Sequence, residues 1–339
     1  MSHLLSTLSK GSQAHYNLWK LVDTRQYESL PLQPTHHILC DIDKTYLETQ
    51  FETLLGMAKI AFETSTDKVT VAGAAELLQA LRWGTLCGVE SDPPLSHPRG
   101  LHFISSSPPQ LRDVLEHKFA LDGLDWSSDT FKNQMYNLKR GQFHLVKQQV
   151  AYKMAAILTR LHTFESPCLF SCLGDSAELD AYIYVGLHLC LSRQLSEAGF
   201  QRYLEIANVE PPIAKELARV SQLLPAHQVQ GIWIRTLHNY TFPLPVEFAP
   251  LLRPFSSYFE VGVDWVTLGW LTTPHRTALL RLFHNRYGME LETLEFMEAQ
   301  RKIPDILLPL PIRSEENWLA SAENWSHMLL QDRFHANKK

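Results

Sequence analysis

Two aspartates stand two residues apart in Asp41-Ile42-Asp43-Lys44-Thr45, directly after the apolar run Ile38-Leu39-Cys40. Neither occupies a place where a carboxylate helps a chain to fold, so the pair is read first for chemistry. A carboxylate can attack phosphorus and carry the phosphoryl group as an aspartyl-phosphate, which divides hydrolysis into two easier steps. That role is expected of Asp41. A second carboxylate two residues on can protonate the leaving oxygen and then activate water, the role expected of Asp43. Two acidic residues capping a turn are the plain alternative.

Three further groups would complete such a site. Ser105-Ser106-Ser107-Pro108 follows the apolar run Leu101 to Ile104, and its hydroxyls and turn amides suit the non-transferring phosphate oxygens. Lys153 lies three residues after Val150 and four before Ile157, near the apolar side of a helix, where an ammonium needs an anionic partner. It could neutralise charge on Asp41 and on the phosphoryl group, although a lysine there can also snorkel to solvent. Finally, Gly174-Asp175-Ser176-Ala177-Glu178-Leu179-Asp180 places Asp175 and Asp180 in a loop opened by glycine, an oxygen-rich setting that fits magnesium. An acidic surface turn would look much the same.

These residues must be brought together by a sheet. Ile38 to Cys40, Leu101 to Ile104, Cys168 to Leu173 and Val229 to Ile234 read as short buried strands, each bounded by turn residues. Ala74, Leu77, Leu78 and Leu81 recur at helical spacing, as do Val146, Val150, Met154, Ile157, Leu158 and Leu161. Strand and helix alternate, which predicts an open parallel α/β sheet whose ligands bind beyond the carboxyl ends of the strands. Residues 84–100 read as a Pro- and Gly-containing loop. Ala181 to Leu224 reads as a long helical insertion broken by Pro211-Pro212, and residues from His238 onward as a mostly helical C-terminal extension. The expected organisation is therefore an N-terminal segment 1–34, a catalytic unit 35–237 and an extension 238–339.

Composition fits an ordinary globular chain: 339 residues, 45% hydrophobic and 20% charged, with a net charge of -5 and a pI near 6.3. No overall basic surplus suggests nucleic-acid binding. No apolar stretch reads as a secretory signal or a membrane span, so a soluble, cytoplasmic protein with at most peripheral membrane contact is expected. Trp265, Trp270, Trp318 and Trp325 are the candidates for such contact, with buried packing the more ordinary explanation. Cysteines 40, 87, 168, 172 and 190 are odd in number and lack zinc-ligand spacing. Cys168 and Cys172 read as buried strand residues, and His36-His37 as a strand entry.

Taken together, these motifs resemble the haloacid dehalogenase superfamily and, within it, the phosphatidate phosphatase catalytic-domain family that includes a yeast actin-patch-associated enzyme. The resemblance spans about Thr35 to Leu237. It is carried by Cys40-Asp41-Ile42-Asp43-Lys44-Thr45, Val71-Ala72-Gly73-Ala74-Ala75-Glu76-Leu77, Phe103 to Leu111, Tyr152-Lys153, Leu173-Gly174-Asp175-Ser176 and Gly231-Ile232-Trp233-Ile234-Arg235. It implies a haloacid dehalogenase-type (Rossmann-like) fold and a magnesium-dependent phosphomonoester hydrolase, with phosphatidate as substrate. Asp41 would be the nucleophile, Asp43 the acid/base, Lys153 the stabiliser and Ser105 a phosphate contact, with Ser106 and Lys44 beside it. Mg2+ would meet Asp41, Asp175, Asp180 and the backbone carbonyl of Asp43.

Four features depart from the family pattern: Lys44 in place of a third Asp, Ser106 in place of Asn, Pro109 in place of an aromatic, and the long 181–224 segment. They leave the reaction intact and the substrate open. Arg235 matches the pattern with a role in pairing or in catalysis, and Lys139 with Arg140 could meet a headgroup or be solvated. Two other functions remain: a soluble nucleotide or metabolite phosphatase, and a binding or scaffold protein that keeps the fold without catalysis.

Overall fold

The structure is a computed structural model of the chain. It describes residues 18–27, 35–48, 64–86, 98–133, 149–164, 166–237, 242–301 and 310–336, with side chains to 329 in the last helix. Cys87, Val146, Lys139 and Arg140 lie outside the described residues.

Four strands form where the apolar runs predict them: β2 (His36–Asp41), β3 (Gly100–Ile104), β5 (Leu169–Asp175) and β6 (Gln228–Arg235). They are joined by β1 (Val22–Gln26), β4 (Ser128–Lys132) and β7 (Leu252–Phe255) in one seven-stranded sheet of order β1-β4-β3-β2-β5-β6-β7. All neighbouring strands pair in parallel except the edge strand β1, which runs antiparallel to β4.

Successive residues of a strand point to opposite faces, and the cores follow that rule. Leu39 belongs to one core, Ile38 and Cys40 to the other. The first face is covered by α3 (Gln149–Leu161), α4 (Asp180–Leu191), α5 (Glu197–Ile206), α6 (Pro211–Ser221) and α10 (Glu315–Ala336). The second is covered by α1 (Ala74–Trp83), α2 (Arg112–Leu121), α7 (Tyr258–Thr267), α8 (Thr273–Asn285) and α9 (Leu291–Gln300). The α4 helix is buried at every position, as an all-round apolar sequence requires.

The insertion between β5 and β6 consists of α4, α5 and α6. Pro211 and Pro212 form the first turn of α6, where missing amide hydrogens cost nothing because those donors lack helical partners anyway. The chain beyond His238 differs from a purely helical extension, because it adds β7 at the sheet edge, where the carbonyl-only Pro254 is tolerated. Its Trp265 packs in the second core and its Trp318 and Trp325 in the first, all fully buried. Trp270 packs its ring against His36 and Trp233. These tryptophans therefore serve packing. Cys172 is buried within β5 and Cys168 is buried one residue before it.

Candidate active site

Five adjacent strand tips carry the polar groups of one crevice. Asp41 is the last residue of β2, Ser105 follows the last residue of β3, Lys132 ends β4, Asp175 ends β5 and Arg235 ends β6. The serine loop stays tied to β4 after β3 ends: the Ser105 amide donates to the Thr130 carbonyl (2.9 Å), and the Lys132 amide to the Ser107 carbonyl (3.0 Å). From the first face, α3 delivers Lys153 and the start of α4 delivers Asp180.

Lys153 is buried, with 1% of its side chain exposed, and it does not snorkel. Its Nζ donates to Asp41 Oδ1 at 2.7 Å and to Asp180 Oδ1 at 2.5 Å, and lies 2.6 Å from Glu178 Oε2. Burial opposes the ammonium, but Asp180, Asp41 and Glu178 outweigh it and hold its pKa well above the ordinary lysine value. Burial in turn pushes Asp41 well above the usual carboxylate range, with Lys153 pulling the other way and the neighbouring carboxylates adding to the rise. Asp180 is raised by the same causes. In Asp175, burial together with Glu178 and Asp180 raises the pKa to about 8.

Asp43 is tied to the serine loop. Its Oδ2 accepts from Ser105 Oγ (3.1 Å) and Ser107 Oγ (2.9 Å), and the Ser107 amide donates to Ser105 Oγ (2.9 Å). The Ser105 carbonyl accepts from Tyr152 on α3 (2.8 Å), so the helix that carries Lys153 also fixes the serine loop. Ser106 is half-buried in the same loop. Lys44 sits in a left-handed turn (φ 61°), which a non-glycine residue adopts only when its surroundings hold it there. Arg235 does the holding: it donates to the Lys44 carbonyl (2.8 Å) and to Glu48 Oε1 (2.6 Å). Arg235 is thus a clamp on the turn after Asp41. The Lys44 charge also eases the ionisation of Asp175.

One oxygen of each member of the set Asp41, Asp175, Glu178 and Asp180 lies within 4.8 Å of the others. Among the described residues, Asp41 Oδ2 and Asp175 Oδ2 are buried without a hydrogen-bond partner. A buried carboxylate oxygen left unpaired is costly. Two of them, on members of a cluster whose candidate ligands are all carboxylate oxygens, fit a small hard cation such as Mg2+. By contrast, Asp180 Oδ1 is engaged by Lys153 and its Oδ2 accepts from the Asp175 amide (3.3 Å). Asp175 Oδ1 accepts from the Ala177 and Glu178 amides (2.6 and 3.0 Å), which folds the loop back. Gly174 makes this turn possible, since a Cβ there would sit 2.4 Å from Asp180 Cβ.

The structure therefore brings together Asp41, Lys153, Asp175 and Asp180, with Asp43, Ser105 and Lys44 along the same strand tips. Two residues were not singled out from sequence. Glu178 lies inside the acidic loop and completes the cage around Lys153, and only the local density of acids signalled it. Lys132 ends a strand of polar composition. It is buried, lies over the Tyr152 ring at 5.3 Å, and burial lowers its pKa to about 8 while Glu178 partly restores it.

A doubly wound α/β sheet with a carboxylate and lysine site at its strand tips defines the class. Within it, residues 36–196, just under half of the chain, match the family model described as phosphatidate phosphatase APP1, catalytic domain. That span contains every candidate site residue named from Asp41 to Asp180. No curated protein and no solved structure matches the chain.

Proposed function

We propose that the chain is a magnesium-dependent phosphatase of haloacid dehalogenase type that hydrolyses a phosphomonoester through an aspartyl-phosphate on Asp41, with phosphatidate as the preferred substrate. The observation that carries this reading is the state of Asp41: Oδ1 is held at 2.7 Å by Lys153, and Oδ2 is buried and unpaired. A nucleophile needs one oxygen held in place and another available to react. The strand order, with Asp41 on the central β2 and the acidic loop on the adjacent β5, accords with the proposed fold type.

In the first step Asp41 Oδ2 forms a bond to phosphorus as the bond to the ester oxygen breaks. Asp43 gives its proton to that departing oxygen. Water then attacks the phosphorus, Asp43 takes a proton from it, and phosphate leaves as the Asp41 carboxylate is restored. Lys153 stabilises charge on Asp41 and on the phosphoryl oxygens throughout. Ser105 Oγ and the amides of the serine loop hold the non-transferring oxygens, with Ser106 and Lys44 at the rim. The Asp41 and Asp175 carboxylates and the Asp43 carbonyl would hold a cation, which would neutralise phosphate charge, while Asp180 holds Lys153 and the loop.

The family description points to phosphatidate. No helix in the described residues is long and apolar enough to cross a membrane, so such an enzyme would meet its lipid at the membrane surface. The test is phosphate release from a panel of esters with magnesium present, including phosphatidate in mixed micelles, nucleotides and sugar phosphates. Release from phosphatidate, lost in chelator, is the expected result. Release confined to soluble esters would replace the lipid by a metabolite, and release from none would leave a binding protein on this fold.

A further inference from the structure

We infer that Ser107 is a positioning residue for Asp43: its hydroxyl keeps the general acid oriented once the substrate has engaged Ser105. The inference rests on the phosphatase reading above and adds a residue to it.

Both serine hydroxyls are directed at one oxygen of Asp43. Oδ2 accepts from Ser105 Oγ at 3.1 Å and from Ser107 Oγ at 2.9 Å. With Oδ2 engaged twice, a proton carried by this carboxyl belongs on Oδ1. A hydroxyl has a single proton to donate, and Ser105 is also the group that meets the phosphate. When Ser105 turns its proton to a phosphoryl oxygen, its bond to Asp43 is given up and Ser107 remains on Oδ2.

The backbone holds Ser107 ready for that exchange. Its carbonyl accepts from the Lys132 amide at the tip of β4 (3.0 Å), and its amide donates to Ser105 Oγ (2.9 Å). Pro108 follows with φ -74°, a ring-fixed angle that also restricts the residue before it. The Ser105 oxygen therefore stays in place while its proton changes partner, and Ser107 does not have to move. In the first step the proton on Asp43 Oδ1 passes to the ester oxygen as the bond from that oxygen to phosphorus breaks. Ser107 keeps its own proton throughout. Without it, the Asp43 carboxyl turns about its Cβ–Cγ bond and its proton can reside on either oxygen.

The experiment compares Ser107→Ala, Ser107→Thr and Asp43→Asn with the wild-type protein, with magnesium present. The readouts are kcat/KM for an alkyl ester and for 4-nitrophenyl phosphate, and the dissociation constant of inorganic phosphate by calorimetry. The alkyl ester is phosphatidate in mixed micelles, or glycerol phosphate if the lipid is not hydrolysed. An alkyl oxide needs a proton to leave and a nitrophenolate does not, so a misplaced acid harms the alkyl ester selectively. In Ser107→Ala, kcat/KM is expected to fall about tenfold or more for the alkyl ester and about threefold at most for the aryl ester. Phosphate affinity should stay at the wild-type value, and Ser107→Thr, which keeps the hydroxyl, should recover most of the alkyl rate. The ratio of the two esters is measured on one preparation, so partial loss of folded protein cancels. Equal loss on both esters, or weakened phosphate binding, would overturn the assignment. A wild-type ratio in Ser107→Ala beside a lowered ratio in Asp43→Asn would overturn Ser107 alone. A wild-type ratio in Asp43→Asn would remove the acid role of Asp43 and this inference with it. A wild-type protein that hydrolyses neither ester would remove the phosphatase reading as well.

Discussion

Asp41, Glu178 and Asp180 converge on one ammonium, and that arrangement governs what substitution of Lys153 does. Removing one partner of a buried charge network leaves the others uncompensated, at a cost of about 3–5 kcal/mol. Lys153→Met is therefore expected to lower the melting temperature and, where folded, to reduce kcat by about 100-fold or more, as loss of a charge-stabilising group does. Magnesium should recover part of the stability and little of the rate. Thermal melts with and without magnesium, together with kcat, check this, and unchanged stability would contradict the buried cage. The types and spacing of Asp41, Asp43, Lys153, Asp175 and Asp180 made them legible in the sequence, because acids after a strand and a lysine on an apolar helix face have few structural uses. Glu178 was not legible, since it enters the cage only through the fold of the Gly174 to Asp180 loop.

At the scale of elements, the site depends on how closely β5 can pass the start of α4. Gly174 is the contact point: a methyl group would meet Asp180 Cβ at 2.4 Å, with Asp180 Oδ2 at 2.6 Å. Gly174→Ala should displace Asp180 from Lys153, destabilise the fold by about 1–3 kcal/mol and depress activity more than the stability loss explains. Denaturation midpoints and kcat on the same preparation test it, and an active, equally stable variant would show that the loop gives way. The four apolar strands and the helices α1 and α3 were readable from periodicity. The strand β4 was not, because Ser128-Asp129-Thr130 looks like a loop; its polar groups are satisfied in the interior by His102, by Arg112 with Tyr27, and by Thr24. Nor was β7, whose Pro254 argues against a strand except at an edge.

For the whole molecule, the acidic crevice predicts that stability depends on pH and, on the cation reading, on magnesium. The Asp175 carboxyl has a pKa of about 8 in the metal-free fold and an ordinary value of 3.8. Folding therefore takes up a proton between those values. The stabilising contribution is complete below the unfolded value and is lost as pH rises through about 8. Metal-free protein should thus melt at a lower temperature at pH 8.5 than at pH 6. Magnesium, which competes with that proton, should raise the melting temperature more at pH 8.5 than at pH 6. A magnesium effect that is absent, or larger at pH 6, would contradict the cation reading. The C-terminal segment takes part in this cooperative unit, since its helices enter both cores.

The most direct test is to quench the enzyme with acid during turnover of a phosphate-labelled ester and to map the label by peptide. The expected result is label on the peptide that contains Asp41, labile to base, and absent from Asp41→Asn, which should retain its fold and lose turnover. Label on another residue, or turnover by purified Asp41→Asn at the wild-type rate, would contradict the assignment of Asp41 as nucleophile.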